Sequence, residues 1–140
     1  MRVAILALAL GLITAPAVAQ EALLDGAWTA IEAERNGAPA PDVVGHRLSI
    51  AGEAFGIVGP DGAPVYAGTV RVDPATEPAE IDFVNTAGEA AGVTWAGIWR
   101  LDGTTLTTVD NAPDQSRPRP AAFAAPTGSG YVMVVFERDG

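Results

Sequence analysis

A length of 140 residues, with 17 acidic against 8 basic side chains and a net charge of -9, suits one domain whose field repels phosphate backbones and anionic membrane surfaces. Nucleic acid is therefore not an expected partner. The absence of cysteine excludes disulfides and thiolate metal sites, so stability has to come from a packed core.

Met1 and Arg2 lead an apolar run over residues 3–14, and Ala17 and Ala19 stand just before the polar pair Gln20 and Glu21. This layout predicts a secretory signal peptide over residues 1–19, cleaved after an A-x-A site. An apolar run of about a dozen residues is too short for the roughly 20 that cross a bilayer. No cysteine follows it for lipid attachment. The expected mature domain is residues 20–140, periplasmic or secreted, with no stable membrane insertion once the signal is removed.

Beyond the signal, short alternating runs broken by Gly, Pro, Asp and Asn recur at the spacing of antiparallel strands. Leu48 and Ile50 alternate with Arg47 and Ser49, Phe55 and Ile57 precede a turn at residues 59–62, and Tyr66, Val70 and Val72 alternate with Thr69 and Arg71. Ile81 and Phe83 share one face of a run closed by Asn85. Each reads as a strand with one buried face. The clearest run is residues 93–101, where Val93, Trp95, Gly97, Trp99 and Leu101 fall on one side and Thr94 and Arg100 on the other. Asp102 and Gly103 form a predicted two-residue turn, and residues 104–110 return as the second arm of a hairpin. Residues 131–138 are apolar on both faces around Val132, Val134 and Phe136, as a central or closing strand would be. Two proline-bearing segments, residues 36–45 and 111–122, break the rhythm and predict long loops over one end of the sheet, with room for one helical turn at residues 41–44. About eight or nine short strands in sequential order predict an all-β domain, either an up-and-down barrel or a two-sheet sandwich.

Leu24, Gly26 and Trp28 resemble the G-x-W opening of lipocalin-like barrels. The rest of the chain resembles an uncharacterised lipocalin-like domain family abundant in planctomycetes and related bacteria. The matches run in order through Glu34 and Gly37, the stretch 68–73 with Pro74, then Pro78, Ile81 and Asp82, and Gly97 and Ile98 before an aromatic residue. Leu101, Asp102, Gly103 and Leu106 follow, then Arg119, Pro120 and Phe123, and the closing residues 135–138. Trp99 stands where the family usually has Tyr, and Val109 where it often has Cys. The resemblance implies a calycin-like antiparallel barrel in which Gly26, Trp28 and Arg138 close the base, the guanidinium stacked on the indole. It implies no established activity.

The side chains that could carry chemistry are few. His46, the only histidine, would need carboxylates alone to complete a metal site and reads as a strand residue at a loop exit. Ser49, Ser116 and Ser129 lie in no G-x-S-x-G elbow. Asp82, between Ile81 and Phe83, invites an acid-base reading, but no second carboxylate is tied to it, and an outward residue or an arginine partner explains it more simply. No catalytic set, metal site or cofactor is expected. Tyr66, Trp95 and Trp99 either line a ligand cavity or fill a small barrel, and Arg119 either meets a ligand at the barrel mouth or pairs with a carboxylate. The expected function is non-catalytic binding of a small, mostly apolar ligand. The alternative is an extracytoplasmic protein–protein interaction module using the proline-rich loops or residues 20–24.

Overall fold

The computed structural model describes residues 23–140, and the expected signal peptide lies outside them. Nine strands follow one another: β1 (Gly26–Arg35), β2 (Ala38–Pro39), β3 (Arg47–Ala51), β4 (Ala54–Val58), β5 (Pro64–Asp73), β6 (Ala79–Gly88), β7 (Thr94–Asp102), β8 (Thr105–Asp110) and β9 (Val132–Arg138). Strands β3 to β9 pair antiparallel with their sequence neighbours, β1 pairs with β3, and β9 returns to β1. The eight strands β1 and β3 to β9 thus close into an up-and-down barrel, with the two-residue β2 as a short ribbon on β1. Closure leaves no long open sheet edge, and it decides between the two architectures in favour of the barrel.

Period two dictates which residues enter the barrel. Leu48 and Ile50, Phe55, Val70, Ile81 and Phe83, Trp95 and Trp99, Leu106, and Val132, Val134 and Phe136 form one buried cluster. The hairpin turn falls one residue later than expected: Asp102 pairs with Thr105, so Gly103 and Thr104 are the turn. Gly103 takes a φ of +64°, which a first turn position of type II′ requires and glycine supplies without strain. This register puts Thr108 opposite Trp99 and Asp110 opposite Gly97, on the inner face.

Three irregularities interrupt the alternation. In β1 the pairing with β9 shifts between Ala30 and Glu32, so Ile31 is extra and 52% exposed. The inward positions move from Trp28 and Ala30 to Ala33 and Arg35 in consequence. A second shift lies between Ile57 and Val58 against β5, and a third between Ala67 and Gly68 against β6.

One end of the barrel is plugged. Leu24 and Trp28 are fully buried there, Trp28 Nε1 donates to the Leu24 carbonyl at 3.0 Å, and the Arg138 guanidinium lies 4.1 Å over the indole. Arg138 also donates to the Asp25 carbonyl at 2.8 Å and to that of Leu23. Gly26 stands beside this contact, since a Cβ on it would meet Arg138 Nη1 at 3.0 Å.

The two proline-bearing segments part company. Residues 40–46 form consecutive turns, Val43 N–H to Ala40 and His46 N–H to Val43, in place of a helical turn, and they stand over the open end. The segment after β8 passes the open end at Ala112 and Pro113 and then runs along the outer wall: Asn111 receives the Ala96 N–H and donates to the Arg117 carbonyl, Gln115 receives the Thr94 N–H, and Arg100 stacks 4.5 Å from the Phe123 ring. That cover explains why Ile98 and Val109, which point out of the barrel, are 1% and 0% exposed. The chain beyond the second segment meets the first where Asn36 Oδ1 accepts the Gly128 and Gly130 N–H groups.

Candidate functional site

The interior is filled at the plugged end and hollow at the other. Around Trp28 and Trp99 side chains interlock, and Trp99 donates Nε1 to the Glu80 carbonyl at 3.0 Å. Above them lies a cavity of about 610 Å³. Its floor and walls are Leu48, Ile57, Phe83, Trp95, Val134 and Phe136, from five different strands. Trp95 is the centre of an aromatic group, with Tyr66 at 4.8 Å edge-on and Phe83 at 6.4 Å between ring centroids. Edge-to-face packing of this kind holds the rings in fixed orientations.

Polar groups gather toward the mouth: Arg35 from the end of β1, Asp42 and His46 from the turns before β3, Tyr66 from β5, Glu89 just beyond β6, and Asp110 at the end of β8. Arg35 and Asp42 form a bidentate pair, with N–O distances of 3.2 and 3.0 Å. The hydrogen bond from Arg35 holds the Asp42 carboxyl below its ordinary range. His46 Nδ1 lies 3.0 Å from the Val43 carbonyl. Burial pushes the Tyr66 phenol up, and the nearby Glu89 charge adds to it.

Asp110 is different in kind. It is 8% exposed, its Oδ1 accepts the Ala112 N–H at 3.0 Å, and among the described residues no basic side chain pairs with it. Desolvation raises its pKa to about 7, opposed only by that backbone N–H. Its partner across the ladder has to be glycine: a Cβ on Gly97 would stand 2.5 Å from the Val109 carbonyl and 2.9 Å from Asp110 Cβ.

Of the four residues expected to meet a ligand, Tyr66 and Trp95 line this cavity. Trp99 does not; it faces inward from the same strand as Trp95 but is packed below the cavity. Arg119 does not reach the mouth either. It lies against the outer wall, where its Nη1 donates to Asp82 Oδ1 at 2.8 Å and to the Gly97 carbonyl at 2.9 Å, with Glu80 3.6 Å from Nε. Asp82 accordingly faces outward as an arginine partner, with Arg71 at 3.9 Å as well. Sequence reasoning missed Arg35, Asp42, Glu89 and Asp110 and read His46 as structural. The signal for Asp110 is the hairpin register, which carries the inward face of β7 across to Leu106, Thr108 and Asp110.

Among the described residues no group of three His, Asp or Glu side chains converges as a metal site would require, and no helix is long and apolar enough to cross a membrane. Comparison of the chain with family models, curated proteins and solved structures found no match.

Proposed function

We propose that this protein is an exported, lipocalin-like, non-catalytic carrier that holds a small, mostly apolar ligand in the barrel cavity. The observation that carries the reading is the cavity itself: about 610 Å³, walled by apolar and aromatic side chains and rimmed by a few polar ones. That is the size and lining of small-molecule sites, which run from about 300 to 1,000 Å³. Export rests on the signal-like residues 1–19 and the membership of the lipocalin-like group on the residues quoted above.

The test is tryptophan fluorescence during titration with apolar probes. Trp95 lines the cavity, whereas Trp28 and Trp99 are packed away from it with their N–H groups bonded to carbonyls. A ligand is expected to shift the emission, and Trp95→Phe is expected to abolish that shift while Trp99→Phe leaves it. A flat titration with every probe would remove the carrier reading. It would leave the alternative of a protein–protein module, which draws on the surface that Asn36 makes by tying residues 128–130 to the mouth loop and on the exposed Val44.

A further inference from the structure

The charges around the cavity do not balance, and the imbalance specifies a ligand. Arg35 is taken up by Asp42 in a two-pronged pair. The remaining charged and titratable groups that face the space are Glu89 at the rim, His46 and Tyr66 on the wall, and Asp110 within. Asp110 thus offers a buried oxygen acceptor with no cation beside it, in a protein whose net charge is -9. The same cavity is walled by Tyr66, Phe83 and Trp95, and ring faces attract cations as carboxylates do.

We propose that the cavity selects ligands with a basic amine on an apolar body, Asp110 serving as the counter-ion and Tyr66, Phe83 and Trp95 as the aromatic wall. This rests on the carrier reading and adds the chemical class. A carboxylate ligand would compete with Asp110 for one proton beside Glu89, and the lining guanidinium, Arg35, is already paired with Asp42. A neutral alcohol would satisfy one hydrogen bond and no charge. An ammonium does both: its N–H donates to the Asp110 oxygen while its charge replaces the missing partner.

Binding is then linked to a proton. Because burial holds the Asp110 carboxyl protonated up to about pH 7, arrival of an ammonium converts Asp110–COOH and R–NH3⁺ into an ion pair and one H⁺ released to the buffer. Asp42, already ionised beside Arg35, exchanges no proton in this window.

Three ligands of one chain length separate the possibilities: decylamine, decanol and decanoate, titrated calorimetrically into the full domain at about pH 6 in two buffers of different ionisation enthalpy. Decylamine is expected to bind at least about ten-fold tighter than decanol, with decanoate weakest, and to release close to one proton. Its affinity is expected to rise from about pH 5 to 8 while that of decanol stays level. Asp110→Asn is expected to keep decanol binding and lose both the amine preference and the proton release. Equal affinities for amine and alcohol, or amine binding without proton release in the wild type, would overturn the proposal and leave the carrier reading standing. Failure of all three ligands to bind would overturn the carrier reading and this proposal with it.

Discussion

Burial of Asp110 beside a single backbone donor sets the sign of the pH dependence between about pH 4 and 7. In the unfolded chain this carboxyl ionises near its ordinary value of 3.8, and in the folded protein at about 7. Between those values the unfolded state binds fewer protons, so stability falls as pH rises, by a total on the order of 4 kcal/mol. Asp110→Asn removes the titrating proton but keeps an oxygen for the Ala112 N–H. Urea unfolding should find the variant equal to the wild type below about pH 4 and progressively more stable than it toward pH 8. A difference independent of pH would contradict the burial argument. Asp42, held down by its hydrogen bond from Arg35, acts in the opposite sense, and its contribution is lost only as pH falls through its lowered pKa. Gly97 belongs at this scale too. Gly97→Ala drives a methyl into the Val109 carbonyl and Asp110 Cβ, so it should destabilise by about 1 to 3 kcal/mol, as overpacking does.

Among the elements, the outer strap of residues 111–131 depends on side chains that reach across the wall. Arg119 holds the carbonyls of Ile81 and Gly97 and the carboxylates of Asp82 and Glu80, and all of these lie on β6 and β7. Arg119→Ala should cost about 1.5 to 3 kcal/mol, the range for hydrogen bonds to charged groups. Arg119→Lys should recover little, because an ammonium is a point charge that lacks the fork. The distinguishing measurement is limited proteolysis: cleavage within residues 111–124 should rise in both variants, while the barrel strands stay protected. The base plug predicts a different signature. Trp28→Ala removes a fully buried indole and should cost about 3 to 5 kcal/mol in chemical denaturation. Trp99→Ala should fall in the same range, since that ring is packed and capped by Glu80.

For the whole molecule, closure between β1 and β9 is the decisive pairing, joining residues such as Trp28 and Arg138 from opposite ends of the described chain. Contacts of such sequence separation are made at a high loop-closure cost and reward the chain only when the ring is complete. A chain ended at Tyr131 lacks β9 and leaves β1 and β8 as open edges. It should not stay monomeric, and size-exclusion chromatography with far-UV circular dichroism would show aggregation or loss of strand signal in place of a smaller barrel.

Local alternation determined a good deal of this protein by itself. It placed Ile81, Phe83, Trp95 and Trp99 on inner faces, because in a strand the side chain's face follows from position parity alone. It also made β9 a closing strand, since Val132 to Phe136 had no polar face to give to solvent. What parity cannot supply is its own interruption. The extra Ile31 in β1 carries no local mark, yet it turns Arg35 toward the cavity mouth. The one-residue difference in the hairpin turn shifts the register by two and so keeps Asp110 on the inner face, but it sets Asp110 opposite Gly97 in place of Trp95, and it is settled by pairing along the whole of β7 and β8. Arg119 and Asp82 are 37 residues apart, so their ion pair depends on the path of the strap across the wall. Whether Trp95 and Trp99 line or fill the barrel is likewise a matter of depth: the plug of Leu24, Trp28 and Arg138 consumes one end, and the space left at the other belongs to Trp95. The sequence thus determined the faces, because faces are a local property of extended chain. The cavity and its unpaired carboxyl were decided only by closure of the barrel, which sets the depth, the bulges and the partners together.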